Sequence, residues 1–96
     1  MEFLVTYDVN TESKEGRRRL RRVAKCCESF GQRVQKSVFE CILDAAAMTK
    51  LVHQLKKEIK TSEDTLRIYR LREPRERYLQ VIGVDVEHDI HDPLVV

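Results

Sequence analysis

Phe3 to Val9 read FLVTYDV, a short apolar run rich in β-branched and aromatic residues, which predicts a strand. Asn10 to Ser13 then carry turn and helix-cap chemistry, with Ser13 as N-cap and Glu15 favourably placed in the first turn. Leu20, Val23, Ala24, Cys27 and Phe30 recur at helical spacing and define one apolar face. Arg18, Arg21, Arg22 and Lys25 fall on the opposite side of that helix. Gly31 is expected to end it in a left-handed conformation. From Arg33 to Leu43 the period becomes two, and Phe39, Cys41 and Leu43 share a face. Val34 is out of step, which implies a bulge or short turn near Lys36 and Ser37, in one bent strand or a hairpin.

Asp44 caps the next predicted helix, whose apolar stripe is Met48, Leu51, Val52, Leu55 and Ile59. Thr61 to Asp64 is a polar break. Leu66 to Leu71 (LRIYRL) alternates apolar and basic residues, as a strand with one wetted face does. The charged REPRER stretch around Pro74 reads as a loop, and Tyr78 to Val86 as a further strand. The order is strand, helix, bent or doubled strand, helix, strand: a ferredoxin-like βαββαβ sandwich of the α+β class, in a single domain over residues 1–96. The extra C-terminal strand has no place in a minimal four-stranded sheet. An open sheet edge invites pairing, so residues 75–96 are expected to form a dimer by adding to a partner's sheet.

Composition sharpens this picture in three ways. Ninety-six residues give a thin core, so covering apolar surface in a dimer would stabilise the chain. The net charge of +2 is too small to name a partner, but Arg17, Arg18, Arg19, Arg21, Arg22 and Lys25 crowd one stretch, as a phosphate-binding surface would. Three cysteines, Cys26, Cys27 and Cys41, with no C-x-x-C spacing, read as reduced thiols. No signal peptide is visible and no apolar run nears the ~18 residues of a membrane span, so a soluble, cytoplasmic protein is expected.

Asp8 is the first candidate for chemistry, because an inward carboxylate at the end of an apolar strand is costly unless paired or metal-bound. The plain alternative is a turn or capping residue. The His88-Asp89-Ile90-His91-Asp92 segment has metal-like composition but lacks supporting groups, and reads as a tail with incidental metal affinity. No Walker loop, G-x-S-x-G, H-E-x-x-H or dinucleotide fingerprint occurs.

The strand-terminal Tyr7-Asp8, followed by a basic helix and then by Gly31-Gln32-Arg33-Val34-Gln35-Lys36-Ser37-Val38-Phe39-Glu40, closely resembles the Cas-two family. These are the small CRISPR-associated proteins of spacer acquisition. The resemblance implies a ferredoxin-like homodimer whose last strand completes the partner's sheet. It implies a divalent-metal-dependent endonuclease, with Mg²⁺ expected and Mn²⁺ as substitute. Duplex DNA is favoured over RNA as substrate. It also implies a duplex-binding scaffold between dimers of the integrase subunit. Asp8 matches the family's metal-binding aspartate, and Tyr7, Arg33, Ser37 and Phe39 match motif positions around it. Arg17 or Arg19 corresponds loosely to a basic residue of the family, and nothing transfers to the His-Asp tail. On this reading two Asp8 carboxylates meet at a two-fold axis and share one metal beside the arginines. A non-catalytic DNA-binding dimer and a toxin-like ribonuclease on the same fold are the competing readings.

Overall fold

The computed structural model describes residues 1–72 and 74–84. Its first strand, β1 (Glu2–Asp8), alternates strictly: Phe3, Val5 and Tyr7 are buried while Leu4, Thr6 and Asp8 face the other way. This is the period of a pleated strand with a single covered face. Helix α1 (Lys14–Glu28) starts at Ser13, whose hydroxyl accepts the Gly16 N–H at 3.0 Å. Two short strands follow, β2 (Gln32–Gln35) and β3 (Val38–Ile42), with a register shift between Arg33 and Gln35. Of the two arrangements left open by the pattern, the hairpin is the one formed, and the out-of-step Val34 lies at its irregularity.

Helix α2 (Ala45–Glu58) is capped by Asp44, which accepts the Ala47 N–H at 2.7 Å. Strand β4 (Thr65–Leu71) returns to pair with β1, and a single helical turn, α3 (Arg75–Tyr78), follows Pro74. The sheet runs in the order β2-β3-β1-β4, with antiparallel neighbours throughout. Helices α1 and α2 cover one face of it, enclosing Val5, Val23, Cys27, Phe39, Leu51 and Leu55 in one core. This is the expected ferredoxin-like α+β arrangement. The three cysteines are free, and burial pushes the Cys27 and Cys41 thiols up to about 12 and about 11. Among the described residues no helix is long and apolar enough to cross a membrane.

Two expectations change. Gly31 is not left-handed, since the sole positive-φ residue described is Gly83. Helix α1 ends two residues earlier, and Gly31 is needed for a close approach: a Cβ there would strike the Cys41 sulfur and the Glu40 carbonyl. Of the strand expected over Tyr78 to Val86, to be added to a partner's sheet, none is formed among the described residues of the single chain. Tyr78 closes α3, and residues 79–84 pair with no strand and leave Ile82 and Val84 largely exposed. Val86 and the His88 to Asp92 segment lie outside the described residues.

Candidate metal and nucleic-acid site

Asp8 is the last residue of β1, directly opposite Thr65 of β4. Asp8 is not the expected inward carboxylate: its neighbours Tyr7 and Val9 are buried among the helices, so the pleat sends its side chain to the uncovered face, where it is exposed and incurs no burial cost. The turn and capping alternatives do not apply. Ser13 caps α1, and Asn10 makes the local side-chain turn by accepting the Glu12 N–H at 2.9 Å. Asp8 itself enters no hydrogen bond or ion pair among the described residues. It lines a shallow concavity with Thr6, Tyr7, Thr65 and Arg67. Arg67 shares its face, being two positions along β4 from Thr65 and opposite Thr6. The LRIYRL alternation already signalled that Arg67 points outward; its place beside the Asp8 strand end needed the β1–β4 pairing.

The other motif residues sit behind this point rather than around it. Tyr7 is buried, stacks on Phe39 with ring centroids 6.2 Å apart, and donates its hydroxyl to the Lys36 carbonyl at 3.3 Å. Desolvation raises the Tyr7 phenol above its ordinary range. The Arg33 guanidinium lies 5.2 Å from the Phe39 ring centroid and 3.5 Å from Glu28. The Ser37 carbonyl accepts the Tyr7 N–H at 3.1 Å, in the turn between β2 and β3. Tyr7, Arg33 and Phe39 therefore form a stack on the helix side of the sheet, while Asp8 projects from the other side. Within one chain they hold the end of β1; Tyr7 borders the carboxylate's concavity, while Arg33, Ser37 and Phe39 do not line it.

The basic stretch also divides. Arg17, Arg18, Arg21, Arg22 and Lys25 are exposed on α1, with Arg22 paired to Glu58 at 2.7 Å and Arg17 donating to the Thr11 carbonyl at 3.1 Å. Arg19 is removed from any nucleic-acid surface. It is 7% exposed and its guanidinium grips Asp64 through Nε at 2.9 Å and Nη2 at 3.2 Å. Position 19 shares the inward face of α1 with Val23, and only a buried carboxylate makes an arginine tolerable there. The expected adjacency of Asp8 and the α1 arginines is likewise corrected: α1 covers the face from which Asp8 points away. The cation beside Asp8 on its own face is Arg67.

Asp64 had been read only as part of a polar break. Its side chain is fully buried and accepts four hydrogen bonds, two from Arg19 and one each from the backbone N–H groups of Asn10 (3.1 Å) and Lys60 (2.8 Å). The Arg19 guanidinium, ahead of the two backbone donors, holds this carboxyl below the usual carboxylate range.

The donor chemistry at Asp8 is one carboxylate flanked by hydroxyl-bearing Thr6 and Thr65. Hard oxygen donors of this kind suit Mg²⁺, which keeps most of its waters and takes one or two carboxylates plus phosphate. No cluster of three or more His, Cys, Asp or Glu exists among the described residues, so one chain supplies only part of a metal shell.

The fold and site together define an α+β protein of ferredoxin-like architecture, with one sheet face open and an exposed carboxylate at the end of a central strand. The family of CRISPR associated protein Cas2 matches residues 1–78, and this chain belongs to it. It is 52% identical over 96 residues to the CRISPR-associated endoribonuclease Cas2 1 of Moorella thermoacetica, with 100% of both chains covered. It is 47% identical over 95 residues to the CRISPR-associated endonuclease Cas2 of Halalkalibacterium halodurans, covering 99% of each chain. The crystal structure of Streptococcus pyogenes Cas2 superposes with a TM-score of 0.77 at 47% identity, covering 86% of this chain and 100% of that one.

Proposed function

We propose that this chain is a divalent-metal-dependent endonuclease that works as a homodimer through its uncovered sheet face. The observation that carries the reading is Asp8: an exposed carboxylate, without a hydrogen-bond or ion-pair partner among the described residues, at the end of a central strand. A carboxylate serving the fold would be spent on a cap, a turn or an ion pair, as Asp44 and Asp64 are. Relatives named endonuclease and endoribonuclease support the same activity.

Two copies facing each other across a two-fold axis would bring two Asp8 carboxylates to one ion, the number that Mg²⁺ favours. Ile42 and Tyr69, which are 65% and 45% exposed on this face, supply apolar surface for that contact. The bound cation would supply Lewis acidity and an activated water. Asp8 holds the charge that anchors it. Thr6 and Thr65 offer hydroxyls to its water shell. Arg67, on the same face, is placed to offset charge growing on a phosphate. No dedicated general base lies in the concavity, so turnover is slow.

A second reading, a duplex-holding scaffold for integrase subunits, draws on the arginines of α1. They lie across the sheet from Asp8, so phosphate binding there needs no chemistry at the carboxylate. The test is a cleavage assay of wild type and Asp8→Asn on single-stranded RNA and on duplex DNA, with and without Mg²⁺. Metal-dependent cleavage that vanishes in the variant, while dimerisation and duplex binding persist, is the expected result. Cleavage unchanged in Asp8→Asn overturns the enzyme and leaves the scaffold. Cleavage of RNA alone overturns the preference for duplex DNA.

A further inference from the structure

We propose that Asp64, gripped by Arg19, is a positioning residue for Asp8, fixing the end of β1 from both sides. The inference rests on the reading of Asp8 as the metal-holding carboxylate. Asp64 immediately precedes Thr65, the residue opposite Asp8 in the β1–β4 register. Its Oδ1 accepts the N–H of Asn10, two residues beyond Asp8 on the same chain, at 3.1 Å. One buried carboxylate thus joins the backbone that continues from Asp8 to the backbone that lies across from it.

Asp64 is in turn immobilised. Both of its oxygens are engaged, Oδ1 by Asn10 and Arg19, Oδ2 by Arg19 and by the Lys60 N–H at 2.8 Å. Arg19 comes from the inward face of α1, so the grip ties the strand end to the helix layer. Gly16 of the same helix presses on this point too: a Cβ there would collide with the Asn10 carbonyl oxygen. The loop after β1 is therefore held by a hydrogen bond to its N–H and by close packing against its C=O. The β1–β4 ladder and the Tyr7 stack fix the strand up to Asp8, and the Asp64 grip fixes the chain beyond it; the Asp8 side chain itself makes no hydrogen bond or ion pair among the described residues that would orient it. Groups that orient a metal ligand from behind typically matter about 10–100-fold in metal affinity.

The plain substitution, Asp64→Ala, strands Arg19 in the interior and threatens the fold itself. Arg19→Lys keeps the charge and sacrifices the two-pronged grip, which is the subtler probe. Val52→Ala, in the half-buried packing of α2, serves as a control for lost stability alone. Two measurements on the full-length, metal-free protein decide the matter: backbone hydrogen exchange at Val9 and Asn10 against Val5, and titration with Mn²⁺. In Arg19→Lys, exchange at Asn10 should quicken about tenfold or more with Val5 unchanged, and Mn²⁺ should bind about tenfold more weakly. In Val52→Ala the melting temperature should fall while both readings stay as in wild type. Equal loss of Mn²⁺ affinity in the two variants, or wild-type exchange at Asn10 in Arg19→Lys, overturns the positioning role. If wild type and Asp8→Asn bind Mn²⁺ equally, the metal reading fails instead, and the exchange measurement alone decides whether Asp64 fixes the strand end.

Discussion

The two faces of the sheet are made from the same strands and live under different rules. On the helix side, Phe3, Val5, Tyr7, Phe39 and Cys41 are all at most 7% exposed, and even the charges there, Arg19 and Asp64, are matched to each other. On the other side, Leu4, Thr6 and Asp8 share the surface with Arg67, Tyr69 and Ile42, and an acid and a base stand close together without an ion pair. The contrast separates what the fold consumes from what it leaves available. Asp64 and Asp8 are the two carboxylates at one end of the same strand pair. The first is saturated with donors and holds structure together; the second keeps its valence for something outside the chain.

The comparison breaks most readily under substitution of matched residues. Phe39→Ala, on the covered face, should lower stability by about 3–5 kcal/mol, read by urea unfolding. Ile42→Ser, on the open face, should change the monomer by no more than about 0.5 kcal/mol, measured at dilution low enough to dissociate the proposed dimer. Equal losses would mean that both faces are core. Next in size, Tyr69→Asp should weaken self-association about tenfold or more, followed by sedimentation, with the monomer's melting temperature little changed. A variant that associates like wild type would move the dimer contact elsewhere.

The smallest expected effect is a pH limb that belongs to the covered face alone. Burial, more than the neighbouring thiols, pushes Cys27 up to about 12, and burial likewise lifts Cys41 to about 11. In the unfolded chain the same thiols ionise near their ordinary value of about 8.5. Above that pH the unfolded state binds fewer protons than the folded one, so stability falls with rising pH. Their contribution is complete below about pH 8.5 and is lost as pH climbs through the folded values, with the Tyr7 phenol acting in the same direction. Denaturant midpoints between neutral and alkaline pH should show this slope, and Cys27→Ala should make it shallower. A slope identical in that variant would assign it to other groups.

The elements were legible because they rest on local rules. Ser13 and Asp44 cap where cap chemistry put them, the stripes of α1 and α2 are the buried faces, and the out-of-step Val34 marks the hairpin irregularity. Asp8 was legible as the residue that ends the first strand, but not as one that faces outward. What escaped the sequence is everything decided by residues distant along the chain. Arg19 looked like one more member of a basic run, and nothing in the α1 pattern announces a carboxylate 45 residues later. Asp64 looked like turn chemistry for the same reason. Gly31 sits where a helix-terminating glycine belongs, yet its smallness serves the strand that packs against it. The side of the sheet on which Asp8 and the α1 arginines fall also needed the three-dimensional arrangement, which sets them on opposite faces.

The alternation of β1 has a consequence for how this protein can change. Odd-numbered positions 3, 5 and 7 answer to the interior, even-numbered positions 4, 6 and 8 to the exterior. Each series can be rewritten without consulting the other, so surface chemistry can diverge while the packing stays constant. Length has no such freedom. Dropping a single residue ahead of Asp8 would exchange the parity of the whole strand, driving the acid in among the helices and turning an aromatic ring out to water.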